Sequence, residues 1–256
     1  MSILEAFAVF LAGAGAGFIN AIVGAGTLIT FSTLLAFGVP PVVANASNNV
    51  GLAPGSLSAA WGYRRELSGQ RHRVWLLASA SLLGAIIGAV LLLALPSEAF
   101  NAIVPALILL GVVLVIAQKP LSRWVSRHHP QGDESGNPVG TPGWVWIGVF
   151  LCGIYGGYFG AAQGVLLMAI MGIAISESMQ RLNAVKNVLA TVANTVAGVI
   201  FVVLAPVDWR IAGLIAVGSV IGAQIGAQFG RRLPEVVYRT FIVVVGLTAL
   251  VVFLLR

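Results

Sequence analysis

Apolar residues run along this chain in blocks too continuous for a water-facing helix. They cover about 6–37, 42–63, 74–95, 99–118, 144–175, 183–205, 210–230 and 236–255, with short polar or proline-containing breaks between them. Each block is long enough to cross the roughly 30 Å hydrocarbon core of a bilayer as a helix, and 6–37 and 144–175 exceed what one crossing needs. The pattern predicts an all-α membrane protein, a polytopic helical bundle. The stretch 119–143, KPLSRWVSRHHPQGDESGNPVGTPG, breaks the pattern with two acids, three bases, two adjacent histidines and four prolines. It reads as a solvated linker between a first transmembrane repeat, 1–118, and a second, 144–256.

The two parts resemble each other. GAGAGFINAIVG at Gly13–Gly24 sets against GIYGGYFGAAQG at Gly153–Gly164, with glycines matching at a spacing of 140 residues. NASNNV at Asn45–Val50 sets against NAVKNV at Asn183–Val188 at an offset of 138. Related halves with glycine-interrupted segments at corresponding positions point to a secondary transporter whose site lies between the repeats. If each overlong block folds back as a broken, re-entrant hairpin, the halves form an inverted repeat. The basic gaps 64–73, 119–143 and Arg231/Arg232 then fall on one side, which the positive-inside rule makes cytoplasmic, with both termini outside. That is a multi-pass protein of the cell inner membrane.

Composition supports the bilayer: 59% hydrophobic residues, 9% charged residues and a mean hydropathy of +0.99 leave too little polar surface for a soluble globule. The net charge of +6 does not mark a nucleic-acid binder, because Arg64, Arg65, Arg71 and Arg73 sit in gaps between apolar runs, as topology anchors do. The single cysteine, Cys152, excludes an internal disulfide and a multi-cysteine metal site. The start, MSILEAF, lacks the basic region of a cleavable leader.

Candidate chemistry lies in two polar clusters inside apolar segments. Asn45, Asn48 and Asn49 share a helix face, with Ser56 three turns on; Asn183, Lys186, Asn187 and Asn194 repeat that geometry. Burying amides in a segment that could be all leucine costs free energy unless they find partners or line a wet cavity. Amides and a lysine offer donors to an oxyanion, and the four residues Asn45, Asn49, Asn183 and Asn187 are expected to face one midplane cavity. The competing reading is that these amides join helices, at about 1 kcal/mol each. Lys186 either snorkels towards Arg181 or stays in the cavity as the recruiting charge. Gly24, Gly26 and Thr27, and Gly160, Gln163 and Gly164, are expected to break their helices and turn N–H groups towards the anion.

All eight acids, Glu5, Glu66, Glu98, Asp133, Glu134, Glu177, Asp208 and Glu235, fall at segment ends or in loops, as do His72, His128 and His129. A cation or proton carrier would be expected to hold a carboxylate at mid-depth. No metal or cofactor site is expected. Nor is an enzyme, since no HExxH, paired carboxylate or serine–lysine arrangement falls within a span.

GAGAGFINAIVGAG, PPVVANASNNVG and the second-half echo of these motifs together resemble the TauE/SafE family of membrane permeases over nearly the whole chain. The resemblance implies a transporter of sulfur-containing anions such as sulfite and sulfonates. The alternative is a transporter or channel for another small anion or a neutral solute.

Overall fold

The computed structural model describes residues 1–128, 141–229 and 235–254. Among these, all regular structure is helical: α1 (Ile3–Ile22), α2 (Thr27–Ala36), α3 (Pro41–Gly62), α4 (Arg71–Ala94), α5 (Ser97–His128), α6 (Gly143–Tyr158), α7 (Gln163–Ala174), α8 (Met179–Leu204), α9 (Trp209–Phe229) and α10 (Glu235–Leu254), with a 3-10 turn at Arg64–Leu67. Helices α1, α4, α5, α8 and α9 are long and apolar enough to cross a membrane. Outward-facing Leu83, Ile86, Ile87 and Val90 of α4 show the apolar surface that lipid must cover.

The two overlong apolar blocks are where the helices break. A capping box between Ser2 and Glu5 starts α1, which stops at Ile22; the chain turns through Gly24 at φ +82° before α2 begins. In the second half α6 stops at Tyr158 and the chain turns through Gly160 at φ +75° and Ala162 at φ +59°. With 10 and 12 residues, α2 and α7 are too short to span the core at about 1.5 Å per residue. Each returns to the side it came from. Phe37 and Val39, beyond α2, line a cavity with Met1 and Glu5 at the start of α1. Arg73 bonds both Thr141, just before α6, and Glu177, just beyond α7. The overlong blocks are thus broken hairpins whose two ends lie at the same end of the bundle.

Small residues set how closely these helices approach. Gly13 and Gly17 of α1 pack on Gly218 and Gly222 of α9; Gly84 and Gly88 of α4 pack on Gly153 and Gly157 of α6. A Cβ on Gly17 would lie 2.1 Å from the Ser219 carbonyl oxygen, and one on Gly88 would lie 2.0 Å from that of Ile154. In lipid such backbone contact replaces the hydrophobic drive that holds helices together in water. Helices α3 and α8 cross antiparallel at the centre: Ser47 near the start of α3 bonds Asp208 beyond the end of α8, and Ser56 further along α3 bonds Asn194 earlier in α8.

One segment differs from the sequence pattern. Helix α5 continues through residues 119–128, the first part of the expected solvated linker. Val125 is buried and Leu121 packs against the core, so this helix keeps an inner face past the last charged break. The rest of the linker, residues 129–140, and Arg231/Arg232 lie outside the described residues.

Candidate functional site

The turns of the two broken hairpins meet inside the bundle. The Gly164 N–H donates to the Gly24 carbonyl at 3.1 Å, and a Cβ on Gly24 would sit 2.5 Å from the Gly164 Cα. Beside this contact is a small polar cavity lined by Asn20, Gly24, Thr27, Ser56, Gly160, Gln163, Gly164, Asn187, Ala190 and Asn194. None of the lining residues is acidic. Its room, about 20 Å³, suffices for one water. A group larger than water would require the cavity to widen.

Three of the amide donors around the cavity are paired, yet not exhausted. The Asn194 amide donates to Ser56 Oγ at 2.8 Å, which leaves the Ser56 hydroxyl hydrogen free to point elsewhere. Gln163 donates to the Cys152 carbonyl at 3.0 Å, and Asn187 donates to the Ala21 carbonyl at 3.2 Å. Each amide carries a second N–H.

Of the residues singled out from the sequence, Ser56, Asn187, Asn194, Gly24, Thr27, Gly160, Gln163 and Gly164 line this cavity. Asn45, Asn48, Asn49, Asn183, Lys186 and Gly26 are not among its lining. Asn45 and Asn183 each lie eleven residues, about 16 Å along a helix, before the Ser56–Asn194 contact, and α3 and α8 run in opposite directions. Of the four residues expected to face one cavity, Asn187 lines this one, whereas Asn45, Asn49 and Asn183 lie further along the antiparallel helices and do not. The i, i+3, i+4 spacing gave each cluster a common face; it held no information on how far apart antiparallel packing would place them.

What most of these residues do is complete the broken ends. Asn183 and Asn187 both donate to the Ala21 carbonyl, at 3.1 and 3.2 Å, and Lys186 Nζ donates to the carbonyls of Asn20 and Ala21, at 2.9 and 3.5 Å. Asn45 donates to the Tyr158 carbonyl at 2.9 Å, at the end of α6. Asn49 donates to the Asn45 carbonyl, and Asn48 accepts from the Thr30 hydroxyl. A helix that stops inside a membrane leaves carbonyls without intrahelical partners, and Asn45, Asn183, Lys186 and Asn187 serve them. Lys186, fully buried, neither snorkels to the surface nor lines the cavity.

Two N–H groups at the helix starts are taken as well. Gly26 donates to the Asn20 side chain at 2.7 Å, and Gly164 donates to Gly24 as described. Asn20 is the residue that the motif reading passed over; a lone amide four residues before Gly24 in an apolar run carried the same signal as the other asparagines. Ala162, in the left-handed region without being glycine, marks local backbone strain at the α7 start.

Residues 9–253 match the family described as Sulfite exporter TauE/SafE. The chain is 25% identical over 215 residues to a probable membrane transporter protein of Haemophilus influenzae, covering 82% of this chain and 79% of that one. It is 28% identical over 211 residues to the probable membrane transporter protein ORF9 of a Sinorhizobium species, covering 82% and 77%. With the probable membrane transporter protein YfcA of Escherichia coli K12 it shares 25% over 209 residues, covering 80% and 72%. A match spanning both hairpins, the crossed helices between them and the cavity where they meet places the chain in the sulfite exporter TauE/SafE family.

Proposed function

We propose that this multi-pass membrane transporter carries a small sulfur oxyanion, sulfite or a sulfonate, through the cavity between the two hairpin turns. The observation that carries this reading is the lining: hydroxyl and amide donors from both halves converge on one space that no carboxylate enters. Such a site favours a group that accepts hydrogen bonds from every side. With the cavity this narrow, Ser56, Asn187, Asn194 and Gln163 use one another and nearby carbonyls as partners; substrate replaces part of that pairing as the cavity opens.

The halves are read as an inverted repeat. Ser56 and Asn194, which bond each other, stand 138 residues apart, the same offset that aligns the amide clusters. Gly24 and Gly164, which touch, are aligned glycines as well. Residues related by a two-fold axis meet their own counterparts only on that axis, and both pairs support an axis through the cavity. The packing of α1 on α9 and of α6 on α4 has the same relation. Alternating access then follows from rocking one hairpin against the other around a fixed site.

The substrate test is flux of labelled sulfite, methanesulfonate, sulfate and chloride into proteoliposomes holding the purified protein. Sulfite or the sulfonate should move well above protein-free vesicles; chloride or sulfate moving equally fast would remove the sulfur selectivity. Ser56→Ala should raise the KM for the transported anion about tenfold, the loss of one hydrogen bond of about 1.4 kcal/mol, with little change in the melting temperature. An unchanged KM would take Ser56 out of the site.

Sidedness follows from charge. The end holding Arg64, Arg65, Arg71, Arg73 and Arg181 is proposed to face the cytoplasm, with both termini outside, in the inner membrane. A cysteine at Thr141, labelled only after the cytoplasmic face is exposed, is the expected outcome in intact cells. Labelling from outside would reverse the orientation.

A further inference from the structure

The basic end of the bundle is closed by a polar network that joins the two halves. Arg73, at the start of α4, bonds Glu177 Oε1 at 3.0 Å, Gln70 Oε1 at 2.7 Å and Thr141 Oγ1 at 3.2 Å. Arg181, at the start of α8, bonds Glu177 Oε2 at 2.6 Å, Glu177 Oε1 at 3.5 Å and the Ser68 carbonyl at 2.9 Å. Gln70 returns a bond to the Arg181 carbonyl at 3.4 Å. Two guanidinium groups, one from each half, thus share a single carboxylate that sits just beyond the end of the α6–α7 hairpin. Thr141, on the same arginine, precedes α6, so both feet of that hairpin are tied to α4.

This is more than an exposed ion pair worth 0–1 kcal/mol. The side chains of Arg73 and Glu177 are only 10% and 15% exposed, and Arg181 is 32% exposed. Burial alone would raise the Glu177 pKa; hydrogen bonds from Arg181 and Arg73 more than reverse that and hold the carboxyl below its ordinary range. The two arginines exceed the carboxylate by one positive charge, so the site is built for an anion and holds a tethered one.

The opposite end has no counterpart. At the 138-residue offset Glu177, Arg181 and Arg73 correspond to Val39, Val43 and Ile211, all apolar. Val39 and Ile211 lie together there, lining the same cavity. One end is therefore joined by an Arg–Glu–Arg network, whereas the aligned positions at the other end line a cavity that also holds Glu5 and Asp208.

We propose that Glu177 is a built-in surrogate for the transported anion, holding Arg73 and Arg181 together until an arriving oxyanion takes the arginines and frees the α6–α7 hairpin to open the basic end. The inference rests on the anion reading above. An oxyanion can accept the same bidentate guanidinium bonds that the carboxylate accepts, so exchange leaves no arginine unpaired. A ligand drives opening only if it binds the open form better, and this exchange supplies that difference.

The test uses the full-length protein in vesicles with Cys152→Ala and a reporter, Ala190→Cys, in the cavity. A small, membrane-impermeant thiol reagent is applied from the basic side with methanesulfonate as the probe anion. With Glu177 intact, labelling should be slow and should rise about tenfold with the anion. Glu177→Gln should label fast without it and respond little to it. Arg73→Gln should also label fast, yet raise the KM for the anion about tenfold. Labelling of Glu177→Gln at the unmodified rate, or an anion response equal to that of the intact latch, would overturn the proposal. Flux by the unmodified protein, measured in parallel, separates the two ideas: normal sulfur-anion flux with a Glu177→Gln variant that labels and responds like the intact protein sinks the latch alone, whereas no flux of any sulfur anion sinks the anion reading and with it the exchange.

Discussion

Gly24→Ala is expected to cut transport at least a hundredfold and to destabilise the folded protein by about 3 kcal/mol or more. Two separate costs meet at this position. Gly24 has φ +82°, a conformation that costs an L side chain about 1–2 kcal/mol. Its Cβ would also lie 2.5 Å from the Gly164 Cα and 3.0 Å from the Gly164 nitrogen, backbone atoms that cannot rotate away. Relief requires separating the two hairpin turns, which breaks the 3.1 Å bond from Gly164 to the Gly24 carbonyl and reshapes the cavity beside it. Gly164→Ala should behave similarly, since its Cβ would lie 2.6 Å from the Gly24 Cα. Gly213→Ala is the control: a Cβ there meets nothing within 4 Å, and in a helix alanine is favoured by up to about 1 kcal/mol. Thermal melts in detergent and proteoliposome flux measure both effects. Normal flux through Gly24→Ala would show that the turns need not touch.

The membrane class, the helical architecture and the two broken segments were legible because each follows from a local pattern. Two uninterrupted apolar blocks were too long for one crossing, and each held a glycine where the chain had to reverse. The extent of α5 was less legible: Lys119, Pro120 and Arg123 mark a solvated stretch, whereas the inner face at Leu121 and Val125 is defined only by what packs there. The site was half legible. Ser56, Asn187 and Asn194 stood out as polar residues in apolar spans, and so did Asn45 and Asn183, because cost alone identifies a buried amide without saying what satisfies it. Which of them face the cavity depends on the antiparallel crossing of α3 and α8, a long-range relation invisible to helical spacing. The network at the basic end becomes readable only once Glu177, Arg73 and Arg181 are brought together from distant parts of the chain.

Lys186→Met is expected to abolish anion flux while leaving the protein folded. Among the described residues Lys186 is the one charged side chain with no exposed surface, and its bonds go to the last carbonyls of α1, where the aligned peptide dipoles amount to about half a negative charge. Losing those bonds would cost about 1.5–3 kcal/mol each. Against that, methionine no longer buries an ammonium, a penalty of several kcal/mol, and it fills a similar volume. Asn183 and Asn187 remain on the Ala21 carbonyl. These terms nearly offset, so the melting temperature should move by only a few degrees. Transport has no such compensation. Lys186 packs its stem against the hairpin contact, where a Cβ on Gly164 would meet Lys186 Cδ at 3.0 Å, and its neighbour Asn187 lines the cavity. The ammonium is expected to leave the α1 carbonyls for an oxyanion bound in the neighbouring cavity, a charge that methionine does not supply. A hundredfold or greater loss of flux corresponds to about 2.7 kcal/mol of lost attraction, modest for one charge in a poorly solvated site. Lys186→Gln separates charge from hydrogen bonding, because it keeps a donor for the Asn20 carbonyl without the charge. If charge is what matters, Lys186→Gln should melt like the unmodified protein and transport like Lys186→Met. Flux restored by glutamine would make Lys186 a cap for the broken helix, and undiminished flux in Lys186→Met would remove it from transport altogether.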